Sequence, residues 1–331
     1  MNLSPSGLES VPFCGTEDVK PRVGCMTTPP GAQGDPSNEP GEPRSGRWSD
    51  LGRPPLNAAP LRRALVRDGG LWSDFQLVGR TGSTNSDLVA LATDGKAEEG
   101  TVLVAEEQDA GRGRLDRQWT APARSGLFFS VLLKPTGVPV ERWGWLPLLT
   151  GVATATALSR AAGVDLALKW PNDLLVTVDG QERKTGGILA ERAGPDAVVV
   201  GIGINVTLRE DELPVPGAGS LVLAGATTTD RDTILRAVLR SLGQWYEKWR
   251  SVGGDPARSG LQDTYAAGCA TLGRVVRAEL PGDKSITGEA VAVDGDGRLV
   301  LATAEGVQQP VGAGDIVHLR PAGDAGDTGD R

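Results

Sequence analysis

The sequence predicts an α+β chain: a larger mixed-sheet domain over residues 60–266 and a small β-barrel over residues 268–321. Three observations predict it. Pro, Gly, Ser and Glu dominate up to residue 56, and the texture changes at Pro60. From there, helical and strand periodicities interleave. After Gly268 only short strands follow, separated by turn sequences.

Eleven of the 23 prolines fall in the first 60 residues. Such a leader buries too little apolar surface to offset its ordering entropy, so residues 1–56 are expected to be disordered. "PLRRALVRDGG" then reads as a short helix and "WSDFQLVGR" as a strand. "STNSDLVALATDG" reads as a helix capped by Ser83 or Thr84, with Asp87 in its first turn. "GTVLVAEEQ" is a strand running into an arginine-rich loop, and "GLFFSVLLKP" is another strand. "VERWGWLPLLTGVATATALSRAAG" is a long apolar helix. "DLALKWPNDLLVTVDGQERKTGGILAER" gives a strand, a turn at Pro171-Asn172-Asp173, and a hairpin about Asp179-Gly180. "AVVVGIGINV" is a buried strand. In "RDTILRAVLRSLGQWYEKW", Ile234, Leu235, Val238, Leu239, Leu242, Trp245 and Trp249 recur at helical spacing. The barrel strands are "RVVRAEL", "ITGEAVAVD", "RLVLAT", "VQQPV" and "DIVHLRP", with turns at "PGDK" and "DGDG". Residues 322–331 form a polar tail.

Net charge is −8 and the pI about 4.9, the opposite of the basic balance of a nucleic-acid binder. Cys14, Cys25 and Cys269 form no CxxC pair, so neither a disulfide framework nor a zinc site is expected. His318 is the single histidine, which excludes multi-histidine metal sites. No apolar run approaches the ~18 residues of a membrane span, and the N-terminus lacks the apolar core of a secretory signal. A reducing, cytoplasmic setting fits best.

Five motifs carry chemistry, and each has a plain alternative. In "GRGRLDRQW" the glycines allow close backbone approach, and Arg112 and Arg114 present forks suited to phosphate or carboxylate. The loop reads equally as a solvated basic turn balanced by Glu106, Glu107 and Asp109. "KWPND" reads as a Pro-fixed turn, or as a turn offering Asp173 to a magnesium ion. In "RKTGGILAE", Lys184 is a solvent-facing hairpin residue or a fixed cation over developing negative charge. "GIGINV" lacks the third glycine of a dinucleotide fingerprint, and its plain reading is a strand packed closely on another element. In "GSTNSDL", helix capping explains Ser83 and Thr84, while the same groups could hold a polar ligand.

Taken in order, GSTN, GRGRxxRxW, KWPND, K-x-GGIL-x-E, GIGIN and the terminal barrel resemble the biotin protein ligase family over about residues 71–321. The implied fold is a mixed-sheet, class II synthetase-like (biotin/lipoate ligase) catalytic domain followed by an SH3-like β-barrel. The implied reaction joins biotin to ATP with magnesium as biotinyl-5′-AMP. Biotin then passes to one lysine of the biotin carboxyl carrier domain of an acyl-CoA carboxylase. A carboxylate must meet an α-phosphate, a repulsion of roughly 4 kcal/mol at about 4 Å in a partly shielded site. Lys184, Arg112 and Arg114 are the implied catalytic cations. The implied biotin contacts are Ser83, Thr84, Asn85, Gln108, Gly111, Arg112, Gly113, Arg114, Lys184 and Gly187. The implied ATP contacts are Arg114, Arg117, Trp119, Asn172, Lys184 and Asn205, with Asp173 toward magnesium. The acceptor lysine is the nucleophile of the second step, so no prosthetic group or enzyme nucleophile is needed.

Two positions depart from the family pattern. Asp116 stands where many members have glycine. In "LPVPGAGSLVLAG", Ser220 and Leu221 stand where some members place an aromatic over adenine, so the packing here is expected to be aliphatic or to come from elsewhere. The Pro/Gly-rich leader shows no helix-turn-helix pattern. The resemblance therefore implies a ligase without operator binding, with no nucleic-acid or membrane partner, as a monomer or weak homodimer. The alternatives are a biotin-responsive transcriptional repressor and a lipoate or octanoate ligase of the same fold.

Overall fold

A computed structural model describes residues 52–115, 117–280, 284–312 and 315–318, without the side chains of Asp315, Val317 and His318. The expectations for residues 1–51, the tail, the "PGDK" turn, Cys14, Cys25, Asp116 and the His318 side chain lie outside these.

Residues before Pro60 are already held by the fold. Arg53 pairs with Glu212 at 2.5 Å, and buried Leu56 donates its N–H to Glu106 Oε1 at 2.6 Å. Two anchoring residues thus sit inside the Pro-rich texture of the expected leader.

α1 (Ala58–Leu65) buries Leu61 and Leu65, one turn apart, and β1 (Asp74–Val78) follows. α2 (Thr84–Thr93) is capped by Ser83, and β2 (Thr101–Ala105) is buried throughout. β3 (Gly111–Arg112) and β4 (Gln118–Trp119) form a small hairpin that carries the arginine loop at its tip. β5 (Gly126–Leu133) is buried on both faces. The long apolar helix begins as a 3-10 turn at Val140–Gly144 and continues as α3 (Trp145–Ala162). Pro147 sits in its first turn, where a missing N–H costs nothing. β6 (Ala167–Lys169), β7 (Asp173–Val178), β8 (Gln181–Arg192) and β9 (Val198–Asn205) follow. Asp179 and Gly180 both take positive φ in the tight β7–β8 turn, as the Asp-Gly pair predicts. α4 (Arg231–Ser251) is capped by Asp230. α5 (Leu261–Gly268) was not evident from the sequence; Leu261 and Tyr265 fix it, with Tyr265 edge-on to Trp145 at 6.1 Å.

The main sheet has the order β1-β2-β5-β9-β8-β7-β6, with β1 and β2 parallel and the other neighbours antiparallel. One face packs on α1, α3, α4 and α5 and forms the large core. On β9, Val200, Ile202 and Ile204 point into that core. The alternate residues face the other way. Val199 is covered by α2 in a smaller cluster with Leu88 and Leu103, while Gly201, Gly203 and Asn205 continue that face beyond the helix. The site lies on this uncovered part.

β10 (Val275–Leu280), β11 (Lys284–Val293), β12 (Leu299–Ala302), β13 (Gln308–Val311) and β14 (Asp315–His318) form an antiparallel sheet of order β13-β12-β11-β10-β14. It is tied to the larger domain by two indole N–H donors, Trp145 at the start of α3 to Gly295 O and Trp170 after β6 to Gly297 O, each at 3.0 Å. Arg231 and Glu106, both buried, pair at 2.7 Å beneath β5 and hold the N-terminal segment through Pro54 O. Among the described residues no helix is long and apolar enough to cross a membrane.

Candidate active site

The site begins where α2 meets the extension of β2. Thr81 pairs with Gln108 there, and Arg80 clamps Asp109 at 2.6 Å. Hydrogen bonds from Arg80 hold the Asp109 carboxyl below the usual carboxylate range. Gln108 is thereby set against the helix N-terminus. Its Oε1 accepts from Thr84 N–H at 2.8 Å and from Thr84 Oγ1 at 3.1 Å. Ser83 and Thr84 are buried, with Ser83 accepting from Ser86 N–H.

Asn85 is fully engaged by the protein. Its Nδ2 donates to Leu189 O at 3.1 Å and to Glu191 Oε2 at 2.8 Å, and its Oδ1 accepts from Ser130 Oγ at 2.7 Å. A Cβ on Gly201 would stand 2.1 Å from Asn85 Oδ1, so only glycine fits there. The close-packing reading of "GIGIN" and the ligand reading are thus compatible: the glycines let α2 and Trp119 sit directly on the strand.

In the arginine hairpin, Gly113 N–H bonds Arg117 O at 2.7 Å, and Leu115 takes a left-handed φ of 53° at the tip. Arg112 pairs with Glu191 at 3.0 Å and donates to Ser86 Oγ at 3.3 Å, so its charge is offset beside α2. Arg114 and Arg117 line the cleft. Gly111 is closed off behind it, because a Cβ there would meet Trp119 O at 2.3 Å. Trp119 lies across the sheet. A Cβ on Gly203 would stand 3.0 Å from its Cε2, and one on Gly187 would stand 3.5 Å from its Cζ3.

Strand register places Phe128, Gly203, Gly187, Asp173 and Lys169 directly opposite one another in succession. Opposed residues share a face. The row therefore runs from buried Phe128, over a floor without side chains, to a charged end. Lys184, beside a bulge in β8, sends Nζ to within 2.5 Å of Asp173 Oδ1 and 5.8 Å of the Trp119 ring centroid. Asn172 fixes the "KWPND" turn by donating to Ile188 O at 2.9 Å.

The segment after β9 closes one side. Lys184 N–H bonds Gly217 O, and Gly219 N–H bonds Lys184 O, each at 2.8 Å. Ser220 and Leu221, the positions singled out for adenine packing, are buried away from the cleft: Ser220 Oγ donates to Leu208 O, and Leu221 joins the core. Pro214, Val215 and Pro216 face the cleft instead, so the wall there is aliphatic. Two buried polar atoms of cleft residues have no protein partner among the described residues, the donor Trp119 Nε1 and the acceptor Asn205 Oδ1. Buried polar groups are nearly always paired, so both are candidates for contact with a ligand or water.

The cleft holds about 770 Å³. It gathers every residue expected at the site except Gly111. It also brings in residues that sequence reasoning missed: Gln118, Thr120, Lys169, Trp170, Leu189 and, from the C-terminal sheet, Glu279 and Ile316. A metal cage built by the protein alone is not found: the described residues contain no cluster of three or more metal-ligating acids, cysteines or histidines. Asp173, paired with Lys184, is a carboxylate in the cleft that could meet a magnesium ion carried by a nucleotide.

An apolar-floored cleft with polar groups at one end and arginine and lysine side chains along it suits a small-molecule ligand that carries negative charge. Residues 79–206 match the biotin/lipoate A/B protein ligase family, and residues 271–319 match the biotin protein ligase C terminal domain. The chain is 42% identical over 271 residues to a biotin–[acetyl-CoA-carboxylase] ligase of Mycobacterium tuberculosis, covering 81% of this chain and 97% of that one. It is 31% identical over 274 residues to the bifunctional ligase/repressor BirA of Escherichia coli, covering 81% and 79%. The biotin protein ligase of Aquifex aeolicus, solved in complex with biotin and ATP, superposes with a TM-score of 0.61 at 29% identity, covering 75% of this chain and all of that one. The chain belongs to the biotin protein ligase family, and it is a biotin ligase by fold and by relationship.

Proposed function

We propose that this enzyme condenses biotin with ATP to biotinyl-5′-AMP and then transfers biotin to a lysine of a biotin carboxyl carrier domain. The observation that carries the proposal is the position of Lys184. It stands between the polar end formed by Thr84 and Gln108 and the aliphatic wall at Pro214–Pro216, within 2.5 Å of an acidic partner that fixes its direction.

In the first step a biotin carboxylate oxygen bonds to the α-phosphorus. The bond from that phosphorus to the bridging oxygen breaks, and pyrophosphate leaves with the electron pair. Ser83, Thr84 and Gln108 hold the ring end of biotin by hydrogen bonds, Gln108 using the Nε2 donor that has no protein partner among the described residues. Gly187 and Gly203 let the ligand lie against the backbone under Trp119. Lys184 and Arg114 offset charge that grows at the phosphorus, which is worth most in a water-poor site. Asn205 and Trp119 present their unpaired groups to the nucleotide. Magnesium belongs to the ATP substrate in this account, and no step passes through a protein-held metal.

In the second step a neutral lysine amine of the carrier attacks the acyl carbon, AMP leaves, and the amine sheds a proton. The experiment is incubation with ATP and either biotin or lipoate, reading pyrophosphate release. Release with biotin is expected; adenylate formed only with lipoate would sink the reading.

A further inference from the structure

We propose that Lys169 is a further catalytic residue, the cation that receives pyrophosphate as it leaves; this rests on the adenylation reading above. Lys169 ends β6, lines the cleft and is half-buried. Its ammonium has no ion pair or hydrogen bond among the described residues. The neighbouring charges differ. Lys184 is held by Asp173, Arg112 by Glu191, Arg183 by Glu210 and Glu279 by Arg277. The acid opposite Lys169 in the sheet, Asp173, is already engaged by Lys184, so a ligand anion can supply the partner that Lys169 lacks.

Its place in the sheet says which anion. The cross-sheet row runs Phe128, Gly203, Gly187, Asp173, Lys169, and neighbouring strands lie about 4.8 Å apart. Lys169 is therefore roughly 14 Å from Gly203, at the far end from α2 and Gln108. Phosphoryl transfer puts the attacking and leaving oxygens in line. The biotin carboxylate comes from the α2 and β9 side to a phosphorus near Lys184 on β8. The leaving group then departs toward β7 and β6, where Lys169 stands with its charge uncommitted. It gains negative charge as the bond breaks, and Lys169 is the fixed cation that meets it.

The test compares Lys169→Gln and Lys169→Arg with the parent in the full chain, in two half-reactions. One is biotin-dependent exchange of labelled pyrophosphate into ATP. The other is transfer of biotin to a carrier domain from supplied synthetic biotinyl-5′-AMP, which contains no pyrophosphate. Lys169→Gln is expected to slow exchange roughly 100-fold and raise KM for pyrophosphate, while transfer stays within about twofold. Lys169→Arg is expected to recover most of the exchange. Equal loss in both half-reactions would make Lys169 a structural residue, and unchanged exchange would mean that it does not meet the leaving group; either overturns the proposal. If the parent shows no biotin-dependent exchange, the adenylation reading itself fails and this proposal falls with it.

Discussion

Lys184 Nζ lies 2.5 Å from Asp173 Oδ1, and this pair joins two adjacent strands in the middle of the cleft. The carboxylate fixes the direction of the cation. Lys184→Ala is expected to slow biotin-dependent pyrophosphate exchange by roughly 100- to 1,000-fold, the usual effect of deleting a charge-stabilising donor. Asp173→Asn keeps the cation and loses only its anchor, about 1 kcal/mol, so exchange should fall by about tenfold or less. Exchange rates of the two variants check this. A larger loss in Asp173→Asn would give the carboxylate the primary role.

Gly201→Ala places a methyl group 2.1 Å from Asn85 Oδ1, so Asn85 must move and give up its hydrogen bonds to Leu189, Glu191 and Ser130. A destabilisation of about 1–3 kcal/mol is expected, with a smaller rise in melting temperature on adding biotin. Thermal unfolding with and without biotin measures both.

Arg114→Gly removes a cleft-lining guanidinium from the hairpin that carries Trp119. Loss of bound adenylate is expected to quicken, with less effect on its formation. Labelled intermediate retained through gel filtration reads the difference; equal retention by variant and parent contradicts it.

Glu106→Ala leaves Arg231 buried without its carboxylate and also removes the acceptor of Leu56 N–H. Deleting one partner of a buried pair costs about 3–5 kcal/mol. Denaturant unfolding should show that loss, while biotin affinity of the folded fraction holds, since neither residue lines the cleft.

Much of this was legible in the sequence because the relevant signals are local. Ser83 is a cap with its turn, Asp179-Gly180 is a tight turn, and the arginine loop lies within nine residues of "GRGRLDRQW". The order of motifs pointed to one family, and the comparisons bear that out. What escaped depends on strand register or on distant packing. Nothing local says that Lys169, Asp173, Gly187 and Gly203 form one row, since that needs three strand pairings. Leu221 faces the core with its N–H on Asn205 O, a placement set by packing against β9 that its own loop sequence does not signal. Arg53 and Leu56 were hidden by the prolines around them. The pairing of Arg112 with Glu191 crosses from the hairpin to β8.

The most direct test is transfer itself. The purified chain, biotin, ATP and a separate carrier domain are combined, and the carrier is analysed by intact mass and peptide mapping. A gain of one biotinyl group on a single lysine is expected, requiring both ATP and biotin and reduced to background by Lys184→Ala. A carrier that gains no biotin, or gains it equally without ATP, would contradict the account.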